Sequence, residues 1–273
     1  MSAAALPIRS EALVLENRPE GGDNIRLRLE VEAWPGAAPG QFAMLSPGAY
    51  RGTDCVDPLL PRPMAVYRTT ARSAGCAEVE VLYKAMGRGT RLLAAARPGE
   101  RVRLFGPLGR GFSLPERGVP SLLVGGGTGI ASLFELTRLA AERGSVRVLL
   151  GARSARDLMG REDFEALGIG LALATEDGGE GHHGRVTELL EAALAEGGEP
   201  VVYACGPTPM MRRAAELAAA AGRPCEVSLE NHMACGFGVC LGCAVPRAEG
   251  GFALVCRDGP VLQAGEVAWE GLP

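Results

Sequence analysis

The chain has 273 residues, 47% apolar and 22% charged, with 28 basic against 32 acidic side chains and a formal net charge of −4. That length fits about two domains with cores of their own, and the composition excludes an intrinsically disordered or fibrous chain. The acidic balance leaves no electrostatic footprint for nucleic acid.

The opening residues, MSAAALPIRSEALVLE, hold no basic segment followed by a long apolar core, so no secretory signal is expected. A long uncharged stretch, Gly118 to Phe134, is broken by Pro120 and five glycines and makes a poor membrane span. A cytoplasmic protein is therefore expected. Thiols stay reduced in that compartment, and eight cysteines are too few for a disulfide scaffold. Their crowding matters more than their number, because Cys235, Cys240 and Cys243 fall within nine residues. Lys84 is the only lysine among the basic residues, which Arg-favouring genomic composition accounts for.

From about Glu11 to Pro115 the pattern is antiparallel β. Asn24 to Glu32 alternates strictly, with Ile25, Leu27, Leu29 and Val31 on one face and Arg26, Arg28, Glu30 and Glu32 on the other, the period of a half-buried strand. Similar runs occupy Glu11–Glu16, Gln41–Leu45, Met64–Tyr67, Glu78–Lys84 and Arg101–Phe105. Turns such as Pro35-Gly36, Pro39-Gly40, Pro98-Gly99 and Gly106-Pro107 separate them. Six short strands so punctuated predict a small barrel, with one helix at Thr90–Arg97 closing an end.

From Gly118 to Arg223 the rhythm changes. Apolar runs at Ser121–Val124, Val146–Gly151, Leu171–Ala174 and Pro200–Ala204 alternate with helical patterns at Ile130–Arg143, Arg185–Ala195 and Pro209–Ala221. Continuous apolar strands between helices predict a parallel sheet covered on both faces. The remainder, from Cys225, is short and Gly-rich, and needs a staple to hold a structure.

That staple is legible. Cys235, Cys240, Cys243 and Cys256 are spaced C-x4-C-x2-C-x12-C, and Gly236, Gly238 and Gly242 let the backbone curl with N–H groups turned toward sulfur. The opening C-x4-C-x2-C is the plant-type ferredoxin spacing for a [2Fe–2S] cluster, whereas zinc ribbons more often use paired C-x2-C knuckles. Zinc stays open as the alternative. His232 beside the loop reads as a neighbour, since four thiolates complete a ligand set.

Two further groups suit phosphates. Arg62-Pro63-Met64-Ala65 opens a strand with a guanidinium held beside a rigid proline, and Leu82-Tyr83-Lys84 leads to Gly89-Thr90 at a helix start, where backbone N–H groups attract anions. In the second block, Gly125-Gly126-Gly127-Thr128-Gly129 joins a strand to a helix, although Ile130 stands where a G-x-G-x-x-G fingerprint needs glycine. Tight strand–helix packing would use the same glycines. Cys205-Gly206-Pro207 leaves another strand at the carboxyl edge of the sheet, where open α/β folds bind ligands. The pair His182-His183 reads as a solvated loop.

Barrel, parallel sheet and cysteine loop in this order resemble the ferredoxin-reductase superfamily. Within it the chain resembles the electron-transfer subunits of NAD-dependent, class B dihydroorotate dehydrogenases. RPMAVY (62–67), LYKAMGRGT (82–90), FGPLGRGF (105–112), GGGTGIASL (125–133), CGPTPMM (205–211), LENHMACGFGVCLGCAV (229–245) and VCRDGPV (255–261) carry the likeness. The resemblance implies a β plus α/β fold: an N-terminal antiparallel β-barrel binding FAD at 6–116, a central parallel-sheet domain binding NAD at 117–223, and a C-terminal [2Fe–2S] module at 224–273. It implies FAD contacts at Arg62, Pro63, Met64, Ala65, Leu82, Tyr83, Lys84, Gly89 and Thr90. NAD would meet Gly125, Gly126, Gly127, Thr128, Gly129, Cys205, Gly206 and Pro207, and Cys235, Cys240, Cys243 and Cys256 would hold the cluster. Ala65 stands where the family usually has serine, which leaves its role positional. No residue is expected to catalyse beyond the cofactors. The implied partner is an FMN subunit that oxidises dihydroorotate, two of each chain forming a heterotetramer in pyrimidine biosynthesis. Alternatives are a related reductase subunit serving a hydrogenase or ferredoxin with NAD(P), and a zinc-stapled nucleotide-binding regulatory module.

Overall fold

The computed structural model describes residues 6–49, 58, 60–72 and 75–272. Cys55 lies outside the described residues. Seven antiparallel strands form the N-terminal sheet: β1 (Ile8–Pro19), β2 (Asn24–Glu32), β3 (Phe42–Pro47), β4 (Arg62–Ala65), β5 (Arg68–Ala71), β6 (Cys76–Lys84) and β7 (Arg101–Leu108). Their order is β4-β3-β7-β1-β2-β6-β5. The two edge strands are joined by Val66 and Tyr67 alone, whose N–H groups bond to Gln41 and Glu80 carbonyls, so the sheet curls into a barrel. The strand β5 is one more than expected; its Arg-Thr-Thr-Ala carries no apolar alternation. Strand β7 also runs on through Gly106-Pro107, expected as a turn, because Leu108 pairs with Phe42.

The helix α1 spans Arg88–Ala94, two residues earlier than predicted, because the Thr90 hydroxyl bonds the Gly87 N–H and carbonyl and sets the start there. Leu93 plugs the barrel core, and the Asn17 amide donates to the carbonyls of Leu93, Ala94 and Ala96 at 2.9, 3.1 and 2.7 Å, tying off the helix C-terminus.

The second sheet gathers β8 (Ser121–Gly126), β9 (Val146–Ala152), β10 (Gly170–Thr175), β11 (His182–His183), β12 (Val201–Cys205) and β13 (Cys225–Ser228). After a small hairpin of β14 (Ala244–Pro246) and β15 (Phe252–Leu254), β16 (Val261–Gln263) returns to that sheet. The order is β11-β10-β9-β8-β12-β13-β16, parallel except for β16. Helices α2 (Phe134–Ala141), α3 (Arg161–Glu165), α4 (Val186–Ala195) and α5 (Thr208–Ala220) lie between strands. The expected helix at Ile130–Arg143 is shorter. Gly127–Ser132 forms a 3-10 turn first, as Gly-Thr-Gly disfavours an α-helical start. Among the described residues, no helix is long and apolar enough to cross a membrane.

A core of Tyr67, Leu82, Phe112, Leu123, Phe134, Met159, Phe164 and Tyr203 joins the barrel to the second sheet. Full burial of such side chains stabilises by roughly 1.5–3 kcal/mol each. This junction corrects one expectation from the alternation of β2. Leu27, Leu29 and Val31 are buried inside the barrel as expected, but Arg26, on the opposite face, is only 5% exposed because the second half covers it.

Candidate cofactor sites

In the barrel, Arg62 and Gly89 converge across 27 residues. The guanidinium lies flat on the glycine, so that a Cβ there would stand 2.9 Å from its Cζ, Nε and Nη2. Nη1 of Arg62 donates to the Leu60 carbonyl at 2.6 Å, and among the described residues no carboxylate pairs with this guanidinium. An arginine held without an acidic partner over a glycine fits a diphosphate. The strand β4 alternates: Met64 enters the barrel core, while Ala65 packs against the core between the halves. Side chains of the Leu82–Lys84 segment are committed elsewhere. Leu82 joins the inter-half core, Tyr83 the barrel core, and Lys84 Nζ lies 3.3 Å from Asp157 Oδ1. Their backbone is left for a ligand, together with the Tyr83 hydroxyl, which is buried with no hydrogen-bond partner among the described residues.

The second sheet supplies the other site. Strand order reverses between β8 and β12, and the crevice beyond their carboxyl ends is the ligand position of doubly wound sheets. Gly125–Gly129 leave β8 there and Cys205–Pro207 leave β12. The two turns pack backbone to backbone, since a Cβ on Gly129 would overlap Cys205 and the Gly206 nitrogen. Gly127 has φ +54°, and no atom lies within 4 Å of the Cβ position it lacks. An open backbone cradle of this kind suits a nucleotide phosphate. Thr128 Oγ1 donates to Glu230 at 3.4 Å; Glu230 keeps solvent contact as a residue, yet crowding around its carboxyl raises it above the usual carboxylate range. The Cys205 thiol is buried and donates to the Ser228 carbonyl at 3.4 Å. Burial, with Glu230 adding to it, pushes this thiol up to about 12, so Cys205 offers the crevice its backbone and no thiolate.

The cysteine loop is pinned to the outside of the barrel. Gly236, φ +80°, lets the chain pass so close to Met44 that a Cβ would lie 2.6 Å from its Cγ, and Phe237 meets Phe105 edge-on at 5.8 Å. The thiols lie in two pairs. Cys243 and Cys256 are buried with sulfurs 3.2 Å apart, and Cys240 hydrogen-bonds to Cys235. Burial works against a thiolate at Cys235, but the N–H groups of Cys240, Phe237 and Val239 and the Cys240 thiol outweigh it and hold it at about 6. Burial and the Cys243 thiol push Cys256 to about 12. Among the described residues no three His, Cys, Asp or Glu side chains already form a closed single-ion site. Four soft donors in two pairs, with backbone N–H groups aimed at sulfur, fit an iron–sulfur cluster. Among the described residues His232 hydrogen-bonds through its backbone N–H, which donates to the Asn231 side-chain oxygen. His182 sits on an exposed strand edge, 2.6 Å from Glu188.

Sequence reasoning gave no sign of Asp157 and Asp163. Both lie between β9 and β10 and reach the barrel. Asp163 accepts hydrogen bonds from Tyr67 Oη (2.7 Å), Arg26 Nη2 (2.6 Å) and Arg68 Nη2 (2.7 Å).

Barrel, switch-point crevice and cysteine loop together define a ferredoxin-reductase-like oxidoreductase. The structure is similar to that of an NADH-dependent reduced ferredoxin–NADP oxidoreductase, with a TM-score of 0.81 and 27% identity over 99% of this chain and 92% of that one. A ferredoxin reductase of carbazole 1,9a-dioxygenase shares the fold, with a TM-score of 0.67 over 81% of this chain and 68% of that one, at 23% identity. Residues 230–268 match the iron–sulfur cluster binding domain of dihydroorotate dehydrogenase B, and residues 123–216 an oxidoreductase NAD-binding domain. The electron transfer subunit of dihydroorotate dehydrogenase B (NAD(+)) from Bacillus caldolyticus is 41% identical over 84% of this chain and 86% of its own length. A homolog of that subunit from Aquifex aeolicus is 38% identical over 94% and 97%. The chain belongs to the family of dihydroorotate dehydrogenase B electron transfer subunits.

Proposed function

We propose that this chain takes electrons from a partner subunit that oxidises dihydroorotate and delivers them to NAD+, as an oxidoreductase subunit of pyrimidine biosynthesis. When bound, a [2Fe–2S] cluster passes single electrons, NAD+ accepts only a hydride, and FAD between them converts one currency into the other. The protein's part is placement. The observation that carries the reading is the position of β3, which separates the cysteine loop from the flavin strand by a single strand. Met44 pairs with Pro63 of β4 and also packs against Gly236 of the loop.

In this reading Arg62 neutralises the FAD diphosphate over Gly89, with Pro63, Met64, Ala65, Thr90 and the Leu82–Tyr83–Lys84 backbone beside it. The turn Gly125-Gly126-Gly127-Thr128-Gly129 and the segment Cys205-Gly206-Pro207 receive NAD. Cys235, Cys240, Cys243 and Cys256 ligate the cluster. The division at 6–116, 117–223 and 224–273 follows these three sites, although β13 and β16 of the last segment complete the sheet of the second. Phe237, Val239 and Leu241 are exposed around the cysteines and give the dihydroorotate-oxidising FMN subunit its docking face, in a cytoplasmic heterotetramer of two each. An absorption spectrum and metal analysis of the purified chain test the cofactors. Flavin and iron–sulfur bands with two irons per chain support the reading, and a colourless protein holding one zinc overturns it.

A further inference from the structure

The segment from Ala155 to Glu165, in the sheet half, is strapped across the barrel. A Cβ on Gly21 would stand 2.6 Å from the Arg156 carbonyl oxygen, Asp157 receives Lys84, and a Cβ on Gly160 would stand 2.7 Å from the Tyr67 hydroxyl. Asp163 lies near the end of the strap, with both carboxylate oxygens occupied by barrel residues. The residue it grips most tellingly is Tyr67. That side chain is fully buried, and its ring stacks on Phe134 at 4.6 Å. Tyr67 follows β4, the strand of Arg62–Ala65, by two residues. Phe134 opens α2 directly behind the Gly127–Ser132 turn. One tyrosine thus links the flavin strand to the nucleotide turn, and Asp163 fixes its far end.

The charges argue for geometry rather than bulk stability. Arg26 and Arg68 face three carboxylates, Glu20, Glu80 and Asp163. Arg18 also pairs with Glu20, at 2.9 Å, so three guanidiniums meet three carboxylates, and Asp163 in addition accepts from the Tyr67 phenol. Buried ion pairs add little net stability but hold groups in fixed positions. We propose that Asp163 is a positioning residue for hydride transfer between nicotinamide and flavin, acting through Tyr67, Arg26 and Arg68 to set the sheet half against the barrel. The inference rests on the electron-transfer reading above.

The test uses the co-expressed complex carrying D163N, which removes the charge on which Tyr67, Arg26 and Arg68 converge. Anaerobic stopped-flow with NADH follows its hydride passing to oxidised flavin, with NAD+ released. The rate at saturating NADH is expected to fall about 10- to 100-fold, as a shift near 1 Å in a reacting pair produces. Dihydroorotate-driven bleaching of the cluster should keep its rate. Amide exchange within residues 155–165 and 66–71 should quicken severalfold, a readout independent of turnover. Unchanged hydride transfer, or equal losses on the NADH and dihydroorotate sides, overturns the inference. If D163N does not fold, Y67F carries the test, since it keeps the ring stack and both arginine pairs; a loss of about threefold or more on the NADH side alone supports the inference, and none refutes it. Failure of the wild-type complex to reduce flavin with NADH would defeat the electron-transfer reading itself.

Discussion

Met44 and Gly236 touch where the cysteine loop meets the barrel, and the contact exists only because residue 236 has no side chain. Gly236→Ala would place a methyl 2.6 Å from the Met44 Cγ, in a backbone conformation, φ +80°, that L side chains disfavour. Left-handed strain and overpacking together cost roughly 2–4 kcal/mol. The loop should lift from the barrel. The expected result is a purified variant with flavin retained and the iron–sulfur absorption reduced by more than half; full cluster content would refute the contact's importance.

Gly129→Ala addresses the second close approach. Its methyl would collide with the backbone of Cys205 and Gly206, neither of which can swing aside. Overpacking of this kind costs about 1–3 kcal/mol and opens the two turns that form the crevice. Equilibrium titration should show NADH affinity falling at least tenfold, with the flavin spectrum unchanged.

The Asp163 carboxyl has a signed pH dependence. Burial would raise it, but hydrogen bonds from Tyr67, Arg68 and Arg26 outweigh burial and hold it below the ordinary aspartate value of 3.8. A group depressed in the folded state contributes stability that is complete above its unfolded value and is lost as pH falls through the folded one. Urea unfolding of wild type and Asp163→Asn should therefore differ by a constant amount from neutral pH down to about 5 and converge below about pH 4. A gap that widened on acidification would contradict the assignment.

Cys205 should be inert. With its thiol buried and pushed up to about 12, iodoacetamide at pH 8 should leave it unmodified in the native protein and label it in urea, as peptide mass spectrometry would show. Rapid native labelling would mean that the thiol faces the crevice after all.

Much of this architecture is legible in the sequence because local pattern and tertiary demand agree. The strict alternation of β2 gives its limits, Asn24–Glu32, to the residue, and the glycine turns fall at the carboxyl edge where the strand–helix rhythm places them. The cysteine spacing names its own chemistry. What escapes is whatever depends on a second surface. Arg26 looks like a solvent-facing residue until the sheet half covers it, and its partner Asp163 is 137 residues away. The short strand β5 is polar, and α3 is too brief for any helical period to register. Cys205 is visible as an edge residue, but the direction of its side chain depends on its packing against Ser228.

The most direct measurement is the coupled reaction. The chain is co-expressed with the dihydroorotate-oxidising subunit, purified anaerobically and given dihydroorotate and NAD+. The expected result is orotate and NADH formed one for one, with turnover lost when Cys243 or Cys256 is replaced by serine. Orotate formation without NADH, or NADH formation that survives loss of the cluster, would contradict the role assigned to this chain.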